Sequence, residues 1–171
     1  MPYGNSPSGL KEYLLVTMGF HVGGLITHFF GPRRNDFLEM TLHHLAALYL
    51  FGGSYLLNLW EIGGVIAFLH DIADVTTNFV KFLADTDFTN CTVVVFITHM
   101  VIWAWTRNLV LPYFVYTIWT QDMTELKEVS EFVKPFFCYL LSCMIMLHYY
   151  WFSLFVLMLV KYSKTNQTED E

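Results

Sequence analysis

The chain has 171 residues, of which 55% are hydrophobic, 18% are aromatic and only 14% are charged. A soluble domain carries about 25% charged residues, so this composition predicts a membrane protein. The formal net charge of −6 excludes the basic surface that nucleic-acid binding requires, and no nucleic-acid partner is expected.

Five apolar segments are long enough to cross a lipid bilayer, for which about 20 residues are needed. They cover residues 13–30, 40–59, 62–83, 92–119 and 134–160. The predicted fold class is therefore all-α, a polytopic transmembrane helical bundle with about five spans. Pro112 lies inside the fourth segment, where its missing backbone N–H predicts a kink.

The domain boundaries follow the polar stretches at the two ends of the chain. We expect a lead over 1–10, a transmembrane domain over 11–162 and an acidic tail, predicted to be disordered, over 163–171. Basic residues are enriched on the cytosolic side of membrane proteins. With five spans, one side of the membrane collects most of them: Arg33, Arg34, Lys81, Lys161 and Lys164. The other side carries the acidic loop 121–131, so the C-terminus is predicted to be cytosolic. The sequons at Asn90 and Asn166 are then expected to stay unglycosylated.

The polar residues that point to function lie in a predicted helical hairpin over residues 36–81, which turns near 60–61. The hairpin contains a histidine pair and a second polar cluster: His43, His44, His70, Asp71 and Asp74. An ionised group near the bilayer centre costs roughly 2.5–3.5 kcal/mol on insertion scales. Polar groups kept at that depth are therefore candidates for function, and the structural alternative is that they tie helices together by hydrogen bonds.

Helix geometry predicts which of these groups meet. At about 1.5 Å per residue, His44 lies roughly 25 Å from the hairpin turn, Asp74 about 20 Å and His70 about 14 Å. Asp74 is therefore expected nearest to the histidine pair, with Asn78 at the level of His43. Adjacent helical residues point about 100° apart, so only one histidine of the pair is expected to face this polar column.

The residue types in the hairpin suit acyl transfer. A neutral histidine is a suitable general base or nucleophile near pH 7, and a carboxylate partner stabilises its imidazolium form. An amine that attacks an acyl thioester must lose a proton, which a base can accept. Arg107, in the fourth segment, is predicted to be either a counter-ion for Asp71 or Asp74 or a contact for an anionic ligand. The single histidines on apolar segments are interpreted as packing or interhelical residues: His21, His28, His99 and His148.

The hairpin residues also form an ordered pattern: Asp36, Phe37, Met40, His43, His44, Ser54, Tyr55, Gly63, His70, Asp71, Asp74 and Lys81. This pattern resembles the signature of the ceramide synthases, which belong to the TLC-domain family. Further along the chain, Thr106 and Arg107 followed by Leu111, Pro112 and Tyr113 resemble the family's next helix. The likeness covers the chain from about residue 11 onward.

The resemblance implies an endoplasmic reticulum acyltransferase that joins a fatty acyl-CoA to the amine of a sphingoid base, as a homodimer or heterodimer. The resemblance also implies that four residues are catalytic: His43, His44, Asp71 and Asp74. We assign supporting or substrate-binding roles to His70, Asn78, Arg107, Ser54 and Tyr55. Acyl-CoA is then a co-substrate, and neither a bound cofactor nor a metal is expected. The family's domain has six core helices, so five spans predict a short or N-terminally truncated form.

Two alternatives stay open. A non-catalytic member of the TLC-domain family would act as a lipid sensor, a translocation-associated factor or a cargo receptor; the intact His and Asp set argues against this, and the short chain argues for it. A metal-dependent lipid hydroxylase or desaturase would resemble chains with several HxxxH and HxxHH boxes. This chain has one HH pair and one HxxxD motif, too few for a di-iron site.

Overall fold

Five helical rods make up the described part of the chain. The computed structural model describes residues 9–33, 35–86, 88–120 and 131–169, with side chains described to residue 164. The helices are α1 (Leu10–Phe30), α2 (Phe37–Leu56), α3 (Trp60–Ala84), α4 (Thr89–Trp103), a π-helical segment (Ala104–Val110), α5 (Leu111–Thr120) and α6 (Val133–Glu169). Since α4, the π segment and α5 form one continuous rod, the predicted all-α bundle with five helices is confirmed.

Three of these rods are long and apolar enough, by length and composition, to cross a membrane: α1, the rod Thr89–Thr120 and the Val133–Lys164 part of α6. The other two, α2 and α3, carry the polar residues of the hairpin, which lower their mean hydropathy. Large apolar side chains cover the outside of the bundle, such as Phe30 at 89% exposure and Leu56 at 79%. Exposed apolar surface on this scale needs a partner, and lipid supplies it. The chain is a multi-pass helical membrane protein.

The turn between α2 and α3 occupies residues 57–59, slightly earlier than predicted. Asn58 has a φ of 57°, a left-handed conformation that Asn adopts more readily than most residues. The backbone N–H of Leu59 donates to the Ser54 carbonyl at 2.8 Å. A methyl group at Gly63 would lie 2.6 Å from the Cβ of Ser54, so glycine is what lets the first turn of α3 pack this closely on α2.

The π segment explains how the fourth rod accommodates its proline. Pro112 has no N–H, and its ring crowds the carbonyl four residues earlier, at Asn108. The Tyr149 hydroxyl of α6 donates to that carbonyl at 2.8 Å. The wider π turn also buries three consecutive side chains, Thr106, Arg107 and Asn108. Short π-helical insertions are frequent at functional sites, and this one carries a cation into the bundle.

The helix packing brings the polar residues of several rods together. α1 packs against α2 and α3, α2 and α5 pack against α6, and the π segment contacts both α3 and α6. A large apolar cluster includes Leu50, Phe51 and Ile66, and a smaller one contains Ala73, Trp103 and Trp151. The buried histidines contact members of both clusters.

The C-terminal end of the chain is more helical than the sequence predicts. α6 continues to Glu169, so most of the tail predicted to be disordered is helical, as an extension of the apolar helix before it. Several predictions fall outside the described residues: Arg34, positions 121–130 of the acidic loop, the side chain of Asn166 and positions 1–8 of the lead. The membrane orientation and the domain boundaries stay predictions.

Candidate active site

The histidine pair of α2 divides between two sides of the helix. His43 and His44 are both buried. His44 meets α1, where its Nδ1 lies 3.3 Å from the Nδ1 of His21. His43 meets α3 and α6, and its ring centroid lies 6.1 Å from that of His70 and 6.0 Å from that of His148. This divergence is the one that the step of about 100° between adjacent helical residues predicts.

Three imidazoles from three helices form the centre of the site: His43 of α2, His70 of α3 and His148 of α6. The rings of His70 and His148 are 5.1 Å apart, and the Trp151 ring lies 5.4 Å from that of His43. Each imidazole has one buried ring nitrogen without a hydrogen-bond partner among the described residues: Nδ1 of His43, Nε2 of His70 and Nδ1 of His148. Buried polar atoms nearly always have partners, so these nitrogens indicate a place for a polar group of a ligand.

Arg107 connects this centre to a carboxylate. The residue is only 1% exposed. The guanidinium donates to Asp74 Oδ1 at 2.5 Å, to the His70 carbonyl at 3.0 Å and to His148 Nε2 at 3.1 Å. Its Cζ also lies 4.3 Å from the centroid of the Trp103 ring, within range of a cation–π contact. Of the roles predicted for Arg107, that of a counter-ion for Asp74 is confirmed.

The two aspartates are held by Arg107 and by Tyr13, and only the first of these partners was predicted. Asp74 bonds to Arg107, and the α3 side chain that contacts His43 is His70, not Asp74. The expectation considered only the rise along two helices, whereas a guanidinium from a third rod attracts the carboxylate. Asp71 accepts a hydrogen bond from the Tyr13 hydroxyl of α1 at 2.5 Å. Both carboxylates are therefore held by residues outside the hairpin.

Asn78 is exposed, so it does not face the buried imidazole centre, and its predicted level beside His43 stays a prediction. A step of four residues overshoots one helical turn by about 40°. Successive positions on α3 therefore rotate outward: His70 is 2% exposed, the Asp74 side chain is 33% exposed and Asn78 lies on the outer surface. The drift removes Asn78 from the imidazole centre.

Ser54 and Tyr55 lie near the hairpin turn and not at the histidines. They are about 15 Å along α2 from His44, at 1.5 Å per residue. Ser54 is fully buried at the close approach of α2 and α3. The Tyr55 carbonyl accepts a hydrogen bond from Trp60 Nε1 at 3.2 Å. The structure gives both residues a place at the turn, away from the imidazole centre.

The single histidines divide into two groups. His28 hydrogen-bonds to α2 and His99 to α3, so both are interhelical, as predicted. His21 and His148 are interhelical too, through His44 and Arg107, but they also join the candidate site, and their proximity to the pair was not predicted. His21 and His148 are polar residues in apolar segments, and the cost of burying such groups in a membrane was the sequence signal that could have marked them as candidates. No such signal singled out Tyr13, whose partner Asp71 is distant in sequence.

The arrangement can bind a polar group and move protons within a largely apolar bundle. A neutral imidazole has one donor and one acceptor nitrogen, so each central ring can give a proton at one atom and take one at the other. His21 and His44 approach through like atoms, and one Nδ1 must therefore donate while the other accepts. Within the described ranges, no three His, Cys, Asp or Glu side chains are grouped as metal ligands are.

Comparison with protein families identifies the kind of chain that carries this site. The family model for the TLC domain matches residues 1–157. The chain belongs to the TLC domain family. Its match covers all of the hairpin and the histidines of α1 and α6, so the site is built entirely from TLC domain residues.

Several curated proteins that are similar in sequence to this chain are named ceramide synthases. Ceramide synthase 4 of Mus musculus is 34% identical over 94% of this chain and 41% of its own length. Ceramide synthase hyl-2 of Caenorhabditis elegans is 24% identical over 88% and 49%, and ceramide synthase LOH2 of Arabidopsis thaliana is 26% identical over 91% and 54%. The chain thus spans about two fifths to half of the length of these relatives. No solved structure matches the chain. The resemblance to ceramide synthases, seen in the hairpin pattern, is confirmed.

Proposed function

We propose that this TLC domain carries the acyl-transfer site of a membrane N-acyltransferase, which moves a fatty acyl group from acyl-CoA to the amine of a sphingoid base. The observation that carries the proposal is the buried centre of His43, His70 and His148, whose three spare ring nitrogens lie within a lipid-facing bundle. Relatives named ceramide synthases support the substrate class.

The imidazoles supply the base that aminolysis needs. The amine nitrogen attacks the thioester carbonyl, the new C–N bond forms, and the C–S bond breaks to release the thiol of coenzyme A. The amine loses one proton and the thiolate sulfur gains one, and a neutral imidazole can carry a proton from the nitrogen to the sulfur. General acid–base catalysis of this kind contributes about 10²–10⁴-fold in rate. Both the direct attack and a route through an acyl-histidine are compatible with this proton balance.

His43 and His44 are the proposed catalytic residues, as the hairpin pattern implies. His43 faces the rings of His70 on α3 and His148 on α6, and His44 shares a hydrogen bond with His21. Asp74 balances the charge of Arg107 and thereby positions the imidazole centre. Asp71 joins α1 to α3 through Tyr13. Both carboxylates shape the electric field in which the proton moves.

The cellular setting follows from the substrates. We propose an endoplasmic reticulum location, with acyl-CoA arriving from the cytosol and its acyl tail lying between apolar helices. Acyl-CoA and the sphingoid base are co-substrates, with no bound cofactor in the scheme. Assembly as a homodimer or heterodimer belongs to the same proposal.

N-acylation in membranes from cells that lack their own ceramide synthases tests the function. The chain is expressed beside His43→Ala/His44→Ala and a control, His99→Ala, which removes a buried histidine outside the imidazole centre. Membranes receive a sphingoid base and acyl-CoA of several lengths, and the N-acyl product is detected by mass. We expect product from the parent and from His99→Ala, and none from the double variant. Absence of product from a correctly inserted parent would contradict the proposal and favour a non-catalytic TLC domain.

A further inference from the structure

We propose that His148 of α6 is a further residue of this site, whose Nδ1–H donates a hydrogen bond to the carbonyl oxygen of the acyl group. The bond strengthens as that oxygen becomes negative during transfer. Arg107 acts as a positioning residue, because it keeps His148 in the tautomer that has this donor. The inference rests on the proposed acyltransferase function and adds a role that lies outside the hairpin.

The tautomer of His148 follows from the partner of its other nitrogen. Arg107 Nη1 lies 3.1 Å from His148 Nε2. A guanidinium has donors and no acceptor, so Nε2 must be the unprotonated nitrogen that accepts. The ring proton of the neutral imidazole therefore lies on Nδ1. The cation fixes where the histidine keeps its proton.

The donor created in this way has nothing to bind in the described part of the chain. His148 is 0% exposed, and its Nδ1 has no hydrogen-bond partner among the described residues. Leaving a buried donor unsatisfied is costly, and such groups are rare in folded proteins. The ring of His43 lies 6.0 Å from that of His148. The two rings therefore line the same buried centre, and we place the acyl carbonyl there, against His148 Nδ1.

His70 supplies the complementary group. Its Nδ1 lies 2.7 Å from the Ile66 carbonyl, which can only accept, so Nδ1 carries the proton. The Nε2 of His70 is then an acceptor, and it also lacks a partner within the described residues. Its ring centroid is 5.1 Å from that of His148. One spare donor and one spare acceptor thus lie on neighbouring rings.

This donor–acceptor pair matches the tetrahedral adduct of an amine and a thioester. The adduct has an oxyanion, which accepts a hydrogen bond from His148 Nδ1–H. It also has an ammonium N–H, whose proton passes to His70 Nε2 as the C–N bond is completed. The electrons of the C–S bond leave with sulfur, and the proton then moves from His70 to that thiolate. The imidazoles are regenerated and every proton is accounted for.

The position of the His148 ring does not depend on its Nδ1. Trp103 Nε1 donates to the His148 carbonyl at 3.2 Å, and Arg107 holds Nε2. A packing role would need the ring and its Nε2 contact, whereas the proposed role needs the Nδ1–H as well. Substitutions that separate these two nitrogens therefore separate the two roles.

Two substitutions of His148 by amide residues separate the contact at Nε2 from the donor at Nδ1. In His148→Gln the side-chain amide takes the place of Nε2 and keeps a contact with Arg107, whereas in His148→Asn it takes the place of Nδ1 and keeps the donor. We expect His148→Gln to lower kcat about 10²–10³-fold, the loss typical of one oxyanion donor, with little change in the KM for acyl-CoA. His148→Asn should recover at least about tenfold of that loss. The matched control is His99→Gln, which makes the same change at a buried histidine outside the centre and should keep the parent kcat.

A binding measurement reports the contact without turnover. An acyl-CoA analogue with a methylene group in place of the thioester sulfur presents an unreactive ketone, and its ¹³C-labelled carbonyl is followed by infrared spectroscopy in lipid nanodiscs. We expect the carbonyl band at lower frequency in the parent than in His148→Gln, with a partial return in His148→Asn. Retained helicity and thermal unfolding show that each variant is folded.

The outcomes distinguish this proposal from the one on which it rests. Product from the parent, with equal carbonyl bands in the parent and both variants, would overturn the role of His148 and leave the acyltransferase standing. Equal kcat values for the Gln and Asn variants would have the same meaning. No product and no binding of the analogue by the folded parent would overturn both.

Discussion

The pairing of Arg107 with Asp74 gives the sharpest test of how the bundle is held together. Arg107→Met removes the guanidinium while keeping much of the apolar stem. It deprives Asp74 of its counter-charge and leaves two acceptors, the His70 carbonyl and His148 Nε2, without their donor. The variant therefore perturbs the contacts among α3, the π segment and α6 at a single point.

The magnitude follows from burial. Removing one partner of a fully buried ion pair costs about 3–5 kcal/mol, because the other charge is left uncompensated. Asp74 is 33% exposed at its side chain, so solvent screens part of this cost. Each lost hydrogen bond within a membrane adds about 0.6 kcal/mol. We expect Arg107→Met to lower the free energy of unfolding by about 3 kcal/mol, towards the low end for a broken pair.

A double-mutant cycle isolates the pair itself. The free energy of unfolding is measured for the parent, Arg107→Met, Asp74→Asn and the double variant, in mixed micelles titrated with sodium dodecyl sulfate and followed by tryptophan fluorescence. We expect a coupling energy of about 1–2 kcal/mol, within the range for residues in direct contact. Arg33→Met, which alters an exposed arginine, is the control and should change stability by less than about 0.5 kcal/mol. A coupling energy near zero would refute the view that this ion pair joins the two rods.

Two further substitutions test the contacts made by α1. A methyl group at Gly24 would lie 2.8 Å from His44 Cε1, whereas one at Gly23 would meet nothing within 4 Å. Gly24→Ala should therefore reduce the N-acylation rate several-fold, while Gly23→Ala keeps the parent rate. Equal rates for the two variants would contradict the packing of His44 on α1. Tyr13→Phe removes the hydroxyl that donates to Asp71 and should lower the free energy of unfolding by about 1 kcal/mol, measured in the same detergent titration. An unchanged unfolding midpoint for Tyr13→Phe would mean that this hydrogen bond contributes nothing to the packing of α1 on α3.

The sequence alone was sufficient for the helices and for the hairpin that carries the pair. Continuous apolar stretches separated by short polar breaks define rods to within a few residues, apart from the longer C-terminal end of α6, because a bilayer allows only helices or closed barrels to span it. The divergence of His43 and His44 was also predictable, since it follows from the helical step of about 100° alone. Local periodicity determines both results, and it does not depend on which rods become neighbours.

The tertiary structure decided the partners. His148 reaches His43 only because α6 packs on α2, and Arg107 reaches Asp74 only because a π segment turns it inward beside α3. The sequence showed Pro112 but not the π turn before it, because the way a helix absorbs a proline depends on the hydrogen bonds that neighbours such as Tyr149 provide. Contacts between distant segments depend on packing and charge balance across the whole bundle, and the periodicity of one helix has no information about them.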